Sequence, residues 1–374
     1  MLEWLIAALV AGSLAFSILV VIAAWQYLAR RALSAGTQPG ISILKPVAGA
    51  EAGLRKNLES FFQQEYPQFE ILFAAREMSD PAVAVIEDLQ RRYPGIPTQL
   101  IVTGEPLYAN AKVYSLERMT AAARFDLVAM SDSDIRVSPE FLQVIAMEFQ
   151  DEGLDLATCP YRAVPGESLW SKLEAIGMNT AFLGGILTAR MLEGMRFAVG
   201  PTIVARKKVI DGIGGWARVK DYLAEDFVLG QFAAEAGFGV ELSRYVIEHH
   251  IGDSDVEENA RHRLRWCRST RRSRPAGYAG QLFTHPVPLA LLLMAVAPAW
   301  WPLAAATLAA RAAAAWATAG WVLGDPLCAR HWWLIAAEDM AGFLFWILGF
   351  FGNTIRWRGR SYQLHRDGRF TPLR

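Results

Sequence analysis

The architecture predicted for this 374-residue chain is an α/β domain with a mostly parallel central sheet, flanked by apolar helices toward both termini. Three observations predict it. Between residues 40 and 281 short apolar runs alternate with helical stretches, the pattern of strand–helix–strand units. Residues 5–28 form a nearly continuous apolar run without a charge, and three more apolar segments follow residue 286.

Taken in order, the run 5–28 is long enough to cross a bilayer as a helix. It is too long for a signal-peptide core and no clean A-x-A site follows it, so it reads as an uncleaved anchor. Arg30 and Arg31 place the following domain on the cytoplasmic side. "ISILKPVAG" reads as a buried strand and a turn. In "LRKNLESFFQQ" Leu54, Leu58, Phe61 and Phe62 share one helical face. "FEILFAA" is a second strand and "PAVAVIEDLQRRYP" a second helix, stopped by Pro94. "TQLIVTG" and "AKVYSLERMTAAA" are the third strand and helix, and "DLVAMSD" is the fourth strand.

Residues 168–195 are apolar but broken by Lys172, Glu174, Gly177 and Gly184-Gly185. A spanning helix disfavours such charges. The stretch reads as an amphipathic interfacial helix with Leu169, Trp170, Leu173, Ile176 and Phe182 toward lipid, or else as a core helix. Segments 287–302, 303–323 (interrupted by Arg311) and 332–355 (with Glu338, Asp339 and Asn353) read as membrane segments. Trp300, Trp301, Trp332 and Trp333 sit near their ends as an interfacial belt would. Three full crossings would put "RWRGR", 356–360, outside. Either one segment is re-entrant or interfacial, or the positive-inside rule fails here. The expected organisation is an anchor at 1–31, a catalytic domain at 40–281, membrane or interfacial helices at 286–355 and a basic cytoplasmic tail at 356–374.

Composition narrows the function classes. The chain is 53% hydrophobic with formal net charge zero, so the total charge does not point to nucleic acid. Cys159, Cys267 and Cys328 lie far apart and form neither a disulfide framework nor a metal spacing, which fits a reducing compartment.

Ligands of open α/β sheets bind beyond the carboxyl ends of the strands. Polar sets fall there at 45–48, 76–80 and 131–134. In "SDSD" Asp132 and Asp134 stand two apart, and residues i and i+2 of a strand share a face. Two like charges on one face call for a cation between them, such as a divalent metal; a helix-starting Asx turn is the alternative. Asp80 precedes Pro81 as a helix cap, and its carboxylate could equally accept N–H groups of a nucleobase. Lys112 beside Asn110 opposes a helix dipole and so wants an anion, for which a phosphate would serve, unless it is merely exposed. Glu225 and Asp226 suit a helix start, and paired carboxylates are also how a general base is made. Residues 261–274 hold seven arginines and no acid. Anionic headgroups and a diphosphate are their two candidate partners. Trp266, next to Arg265, suits a membrane interface or an acceptor wall, and His249-His250 offer a further metal ligand or plain loop polarity.

In this order, "ISILKPVAG", "SFFQQEYPQFEILFA", "SDPA", "NAKV", "SDSDIRV", "GPTIVARKKVIDGIGG", "YLAEDFVLG" and "RLRWCRSTRR" resemble the inverting, membrane-anchored glycosyltransferases of GT-A fold, and more narrowly the ceramide glucosyltransferase family. The resemblance covers 41–274, and "WRGRSYQL" adds to it. It implies a UDP-sugar donor, a divalent metal (Mg2+ or Mn2+) and a lipid hydroxyl as acceptor. By resemblance Asp80 would hold the uracil end, with Lys112 also on the donor. Asp132 and Asp134 would fill the D-x-D position, Asp134 as direct metal ligand. Asp226 would be the general base, and Arg265-Trp266 would close the (Q/R)-x-x-R-W motif on the donor. His262 stands where that motif has Gln or Arg, and residues 178–182 lack a histidine associated with animal ceramide enzymes. Within the family the chain resembles the bacterial hopanoid-biosynthesis branch, which places N-acetylglucosamine on bacteriohopanetetrol. The alternatives are ceramide or another lipid glucosylated from UDP-glucose, and a processive polysaccharide synthase, for which three C-terminal segments look too few. The implied location is the bacterial inner membrane, multi-pass, with the catalytic domain in the cytoplasm.

Overall fold

A computed structural model describes residues 1–30, 36–51, 53–357 and 360–373, the side chain of Trp357 excepted. Arg31, and Arg358-Gly359 of the basic stretch, lie outside the described residues. The chain divides into two compact units, and they interleave along the sequence. The first takes Met1–Arg31, Arg162–Gly194 and Ile251–Asp367; the second takes Ala32–Tyr161, Met195–His250 and Gly368–Arg374. Segments 162–194 and 251–281, which the sequence groups with the catalytic stretch, therefore belong to the unit that holds the N-terminal helix.

The second unit is built on a sheet of seven strands among the described residues. Across it the order is 98–102, 69–75, 41–46, 127–131, 202–206, 156–158 and 240–242. The first four strands are parallel, and 202–206 runs antiparallel to both its neighbours. Phe69–Ala75 is buried along its whole length and Ile41–Pro46 nearly so, which is why these strands read as unbroken apolar runs. One face carries Leu44, Leu72, Val128 and Met130 against Val113, Leu116 and Met119 of the helix Ala111–Ala122 and Val228, Leu229 and Ala233 of the helix Glu225–Glu235. Each of the leucines, valines and methionines among them contributes about 1.5–3 kcal/mol on burial. The α/β class and mostly parallel sheet are those the sequence predicts.

Among the described residues the first unit is mostly helical, with a hairpin at 354–364 and strand residues at 162–165 and 251–252. Among the described residues, two helices are long and apolar enough to cross a membrane: Leu2–Leu28, of 27 residues, and Leu169–Glu193, of 25. Pro275–Thr284 and Pro286–Val296, bent by 59°, become a third if taken as one broken span. For the stretch 168–195 the lipid-facing set expected of an interfacial helix holds only in part, and burial favours the core-helix alternative at two of its positions. Leu173 and Ile176, expected toward lipid, are buried inside the unit, and Leu169 and Trp170 are exposed. Its polar residues are absorbed by partners: Glu174 accepts from Asn259 (2.6 Å) and His262 (2.5 Å). A π-helical turn at Met178–Phe182 aims Asn179 at the backbone of Ala163 (2.7 and 3.1 Å) and at Asp325 (2.9 Å).

The two later C-terminal segments do not pass the same test of length and hydropathy. Leu334–Gly349 has 16 residues, short of the ~20 that a bilayer core requires. Trp301–Ala315, continued by Trp316–Val322, is diluted by alanine and carries Arg311. That arginine is buried and forks onto Asp339 (2.7–3.2 Å), with a further bond to Thr180 (3.1 Å). Arg263 likewise pairs with Glu338 (2.8 Å). Charges in an apolar surrounding survive by pairing in this way.

The arginine stretch also receives a different account. It lies on the helix Val256–Ser273, and Arg268, Arg271 and Arg272 spend their guanidiniums on the carbonyls of Phe350, Phe351, Gly352 and Thr354 and on Asn353. They cap the carbonyl end of Leu334–Gly349 and the turn that follows, where helix oxygens lack partners of their own. Arg274 pairs with Glu193 (2.8 Å). The expected basic tail is folded as well: Thr354–Trp357 and Arg360–Leu364 pair antiparallel. Phe370 is fully buried.

Candidate active site

The site assembles at the carboxyl edge of the sheet in the second unit. The strand Leu127–Ser131 ends one residue before Asp132, so Asp132 and Asp134 lie in the turn after it and not on a strand face. The expected shared face is thereby corrected, and the two carboxylates meet different partners. Lys112 Nζ stands 2.7 Å from Asp132 Oδ1 and 3.0 Å from Glu225 Oε1. Asp134 Oδ2 meets His249 Nε2 at 3.1 Å. Asp132 is thus partnered by a lysine and Asp134 by a histidine of the chain itself.

Beneath the turn lies Lys45, fully buried, its ammonium 3.8 Å from the centre of the Phe61 ring. It donates to Ser131 Oγ (3.3 Å) and to the carbonyl of Asp132. Burial pulls its amine down to about 7. Lys112 moves the other way: burial opposes its charge, but the Asp132 and Glu225 carboxylates outweigh it and hold the ammonium well above the usual lysine range. Burial lifts Asp132, with Lys112 pulling against it. For Asp134 burial is overcome by His249 and Lys45, and its carboxyl falls to about 2.

Local sequence explains how Lys112 is aimed. Asn110 caps the helix Ala111–Ala122, its Oδ1 accepting from the N–H groups of Lys112 (3.0 Å) and Val113 (3.3 Å). Its Nδ2 donates to the Tyr222 carbonyl and to Glu225 Oε2, each at 3.0 Å. One asparagine therefore ties the lysine helix to the loop that carries the acids. Lys112, Asp132, Glu225 and Asp226 line a common cavity, floored by Met130 and Ile203 with Trp216 at its wall. Gly200 also lines it, and a methyl group there would lie 2.5 Å from Asp226 Oδ2. Burial, reinforced by the neighbouring Glu225 carboxylate, raises Asp226 to about 7.

Asp80 is the cap that its position before Pro81 predicts: Oδ1 accepts from Ala82 N at 2.9 Å. It also accepts from Gly49 N, at 2.9 and 3.1 Å, joining the first strand's turn to the second helix. Arg265 and Trp266 belong to the other unit, on Val256–Ser273, where Trp266 packs on Phe182 and His262. His250 pairs with Glu248 (3.0 Å). Lys45, Asn110 and Gly200 are the site residues to which sequence reasoning assigned no role, while Glu225, paired with Asp226 in that reading, joins the site through Lys112. Of the first three only Asn110, as a helix cap, left a local signal.

Among the described residues no three His, Cys, Asp or Glu side chains converge to hold a metal by themselves. The residues present nevertheless fit a divalent cation that arrives with phosphates, because such ions are commonly held by one or two carboxylates plus substrate oxygens. Asp134 Oδ1 is buried and has no hydrogen-bond partner among the described residues, an acceptor of the kind such an ion would take.

Comparisons with known proteins bear on the family and the fold. A family profile described as Glycosyl transferase family 21 matches residues 5–370. Ceramide glucosyltransferase 1 of Caenorhabditis elegans is 30% identical over 211 residues, 56% of this chain and 45% of that protein. Ceramide glucosyltransferase 3 of the same nematode is 27% identical over 231 residues, 62% of this chain and 50% of its own. The chain thus spans about half the length of these curated relatives. Among solved structures, the mannosyltransferase PcManGT from Pyrobaculum calidifontis, in complex with GDP-Man and Mn2+, superposes with a TM-score of 0.54 at 18% identity, covering 93% of this chain and 99% of its own. That likeness is one of fold, the GT-A type.

Proposed function

This chain belongs to glycosyl transferase family 21, and from that premise we propose that it transfers a sugar from a nucleotide-diphosphate donor to a hydroxyl of a membrane lipid, with inversion. The observation that carries this reading is the cavity in which Asp226, raised to about 7, faces Lys112, Asp132 and Glu225. A carboxylate of that basicity suits proton abstraction near neutral pH. Asp226 takes the proton of the acceptor hydroxyl as its oxygen bonds to the anomeric carbon from the face opposite the leaving group. The bond from that carbon to the diphosphate oxygen breaks, and the nucleoside diphosphate leaves with the electron pair. Lys112 keeps Asp132 and Glu225 in place and adds positive charge near the diphosphate. Asp134, with Asp132 beside it, would hold a divalent metal (Mg2+ or Mn2+), which when bound supplies charge neutralisation of the leaving group. Asp80 would receive the base of the nucleotide on whatever acceptor capacity its cap bonds leave.

The finer reading is UDP-N-acetylglucosamine as donor and a hopanoid, bacteriohopanetetrol, as acceptor, at the cytoplasmic face of a bacterial inner membrane. The two nematode relatives, both named ceramide glucosyltransferases, favour glucosylation of ceramide or another lipid from UDP-glucose as the second reading. The test offers radiolabelled UDP-N-acetylglucosamine and UDP-glucose in turn to the purified protein in vesicles carrying bacteriohopanetetrol or ceramide. Lipid is then separated from polymer. Label in the hopanoid only from the first donor is expected; label in ceramide from the second selects the alternative, and label in polymer overturns both.

A further inference from the structure

Resting on Asp226 as the base, we propose that the C-terminal segment 368–372 is a positioning strap for the acid-bearing loop, with Phe370 as its anchor. The loop 219–224 feeds the helix Glu225–Glu235, whose N-cap is Ala224, a residue with no side chain to hold the helix start. Two like charges, Glu225 and Asp226, crowd the first turn. Something outside the helix has to fix this start. The backbone of the loop is held from two sides in alternation. The carbonyls of Lys220 and Tyr222 accept from Asn110, at 3.0 Å each. The carbonyl of Asp221 accepts from Phe370 N at 2.8 Å, and Leu223 N donates to the Gly368 carbonyl at 3.5 Å. The segment is a turn, closed by Tyr222 N on the Val219 carbonyl at 3.1 Å, and Tyr222 and Arg369 form an isolated antiparallel bridge.

Side chains reinforce the bridge. The Arg369 guanidinium lies 5.5 Å from the centre of the Tyr222 ring, and that ring meets Phe232, on the acid-bearing helix, edge to face. Phe370 is fully buried, while Thr371 and Pro372 beside it are exposed, so one side chain anchors the strap. Gly368 has φ +84°, a conformation that L side chains rarely adopt, and it turns the chain into the bridge. Glu225 and Asp226 follow the strapped Leu223 after one and two intervening residues, so freedom in the loop becomes freedom of the base.

The experiment compares the full chain with a truncation after Asp367 and with Phe370→Ala and Phe370→Leu in the full chain. Hydrogen exchange reads the amides of 219–228, and donor titration reads kcat and KM separately. A peptide of sequence RDGRFTPLR is then added to the truncated protein. Faster exchange confined to 219–228, kcat lower by at least tenfold with donor KM within threefold, retention by Phe370→Leu, and recovery on adding the peptide are expected. Unchanged exchange at 219–228 in both the truncation and Phe370→Ala overturns the strap, as does unchanged kcat in both. Absence of transfer by the intact chain would refute the functional reading alone, since exchange decides the strap without turnover.

Discussion

Replacing Asp226 by Asn separates chemistry from stability. The substitution keeps shape and hydrogen-bonding capacity but removes the base. A positioned general base contributes about 10²–10⁴-fold, so saturating turnover should fall at least about a hundredfold with donor binding little changed. The structure also sets the pH profile. With Asp226 raised from 3.8 to about 7, roughly a tenth of the groups are ionised at pH 6 and roughly nine tenths at pH 8. In the free enzyme kcat/KM should therefore rise about tenfold per unit below 7 and level off above it. Stability runs oppositely. The folded carboxyl binds its proton more tightly than the unfolded one, so stability declines as pH rises from about 4 to about 7 and stays lower beyond. One pKa unit corresponds to about 1.4 kcal/mol, so the loss across this window is on the order of a few kcal/mol. Asp226→Asn should thus be no less stable than the parent at pH 8. The assay measures initial rates with labelled UDP-sugar and lipid acceptor between pH 5.5 and 9, with thermal melts alongside. A variant turning over within threefold of the parent at saturation, or a parent profile flat through 7, would refute the assignment. So would weak donor binding with normal turnover.

Other sites give equally definite expectations. Asp134→Ala should abolish transfer with the fold intact by circular dichroism; near-normal turnover of that variant in excess chelator would sink the metal role. Gly200→Ala puts a methyl 2.5 Å from Asp226 Oδ2 and should lower kcat at least about tenfold, on the scale expected of a misplaced catalytic group, with a melting point close to the parent's; normal kcat would mean the carboxylate moves freely. Arg311→Ala leaves Asp339 buried and alone and should cost about 3–5 kcal/mol, read as lower melting in detergent, whereas Arg311→Ala with Asp339→Ala should recover part of it. A double variant as unstable as the sum of the singles would show that the pair is not coupled.

Local chemistry alone determined a good part of this protein. The four strands 41–46, 69–75, 98–102 and 127–131 and the helices between them follow from apolar runs and helical spacing, properties of neighbouring residues. Asp80 as a cap before Pro81 and the 27-residue apolar helix at the N-terminus are local in the same sense. Partners far apart in the chain were decided only by tertiary structure. Charge counting asks for a cation beside Asp132, yet only the fold selects Lys112, brought there with Glu225 through the cap at Asn110. Seven arginines in 261–274 read as a surface for anions, while packing turns three of them onto carbonyls around 350–354. Glu174 reads from the sequence only as a charge that breaks the apolar run 168–195, while the fold brings Asn259 and His262, over eighty residues away, to its carboxylate. Periodicity records which face of an element is buried. It carries no information on which distant group answers a buried charge, because that pairing is set by the approach of elements whose order in space the local pattern does not encode.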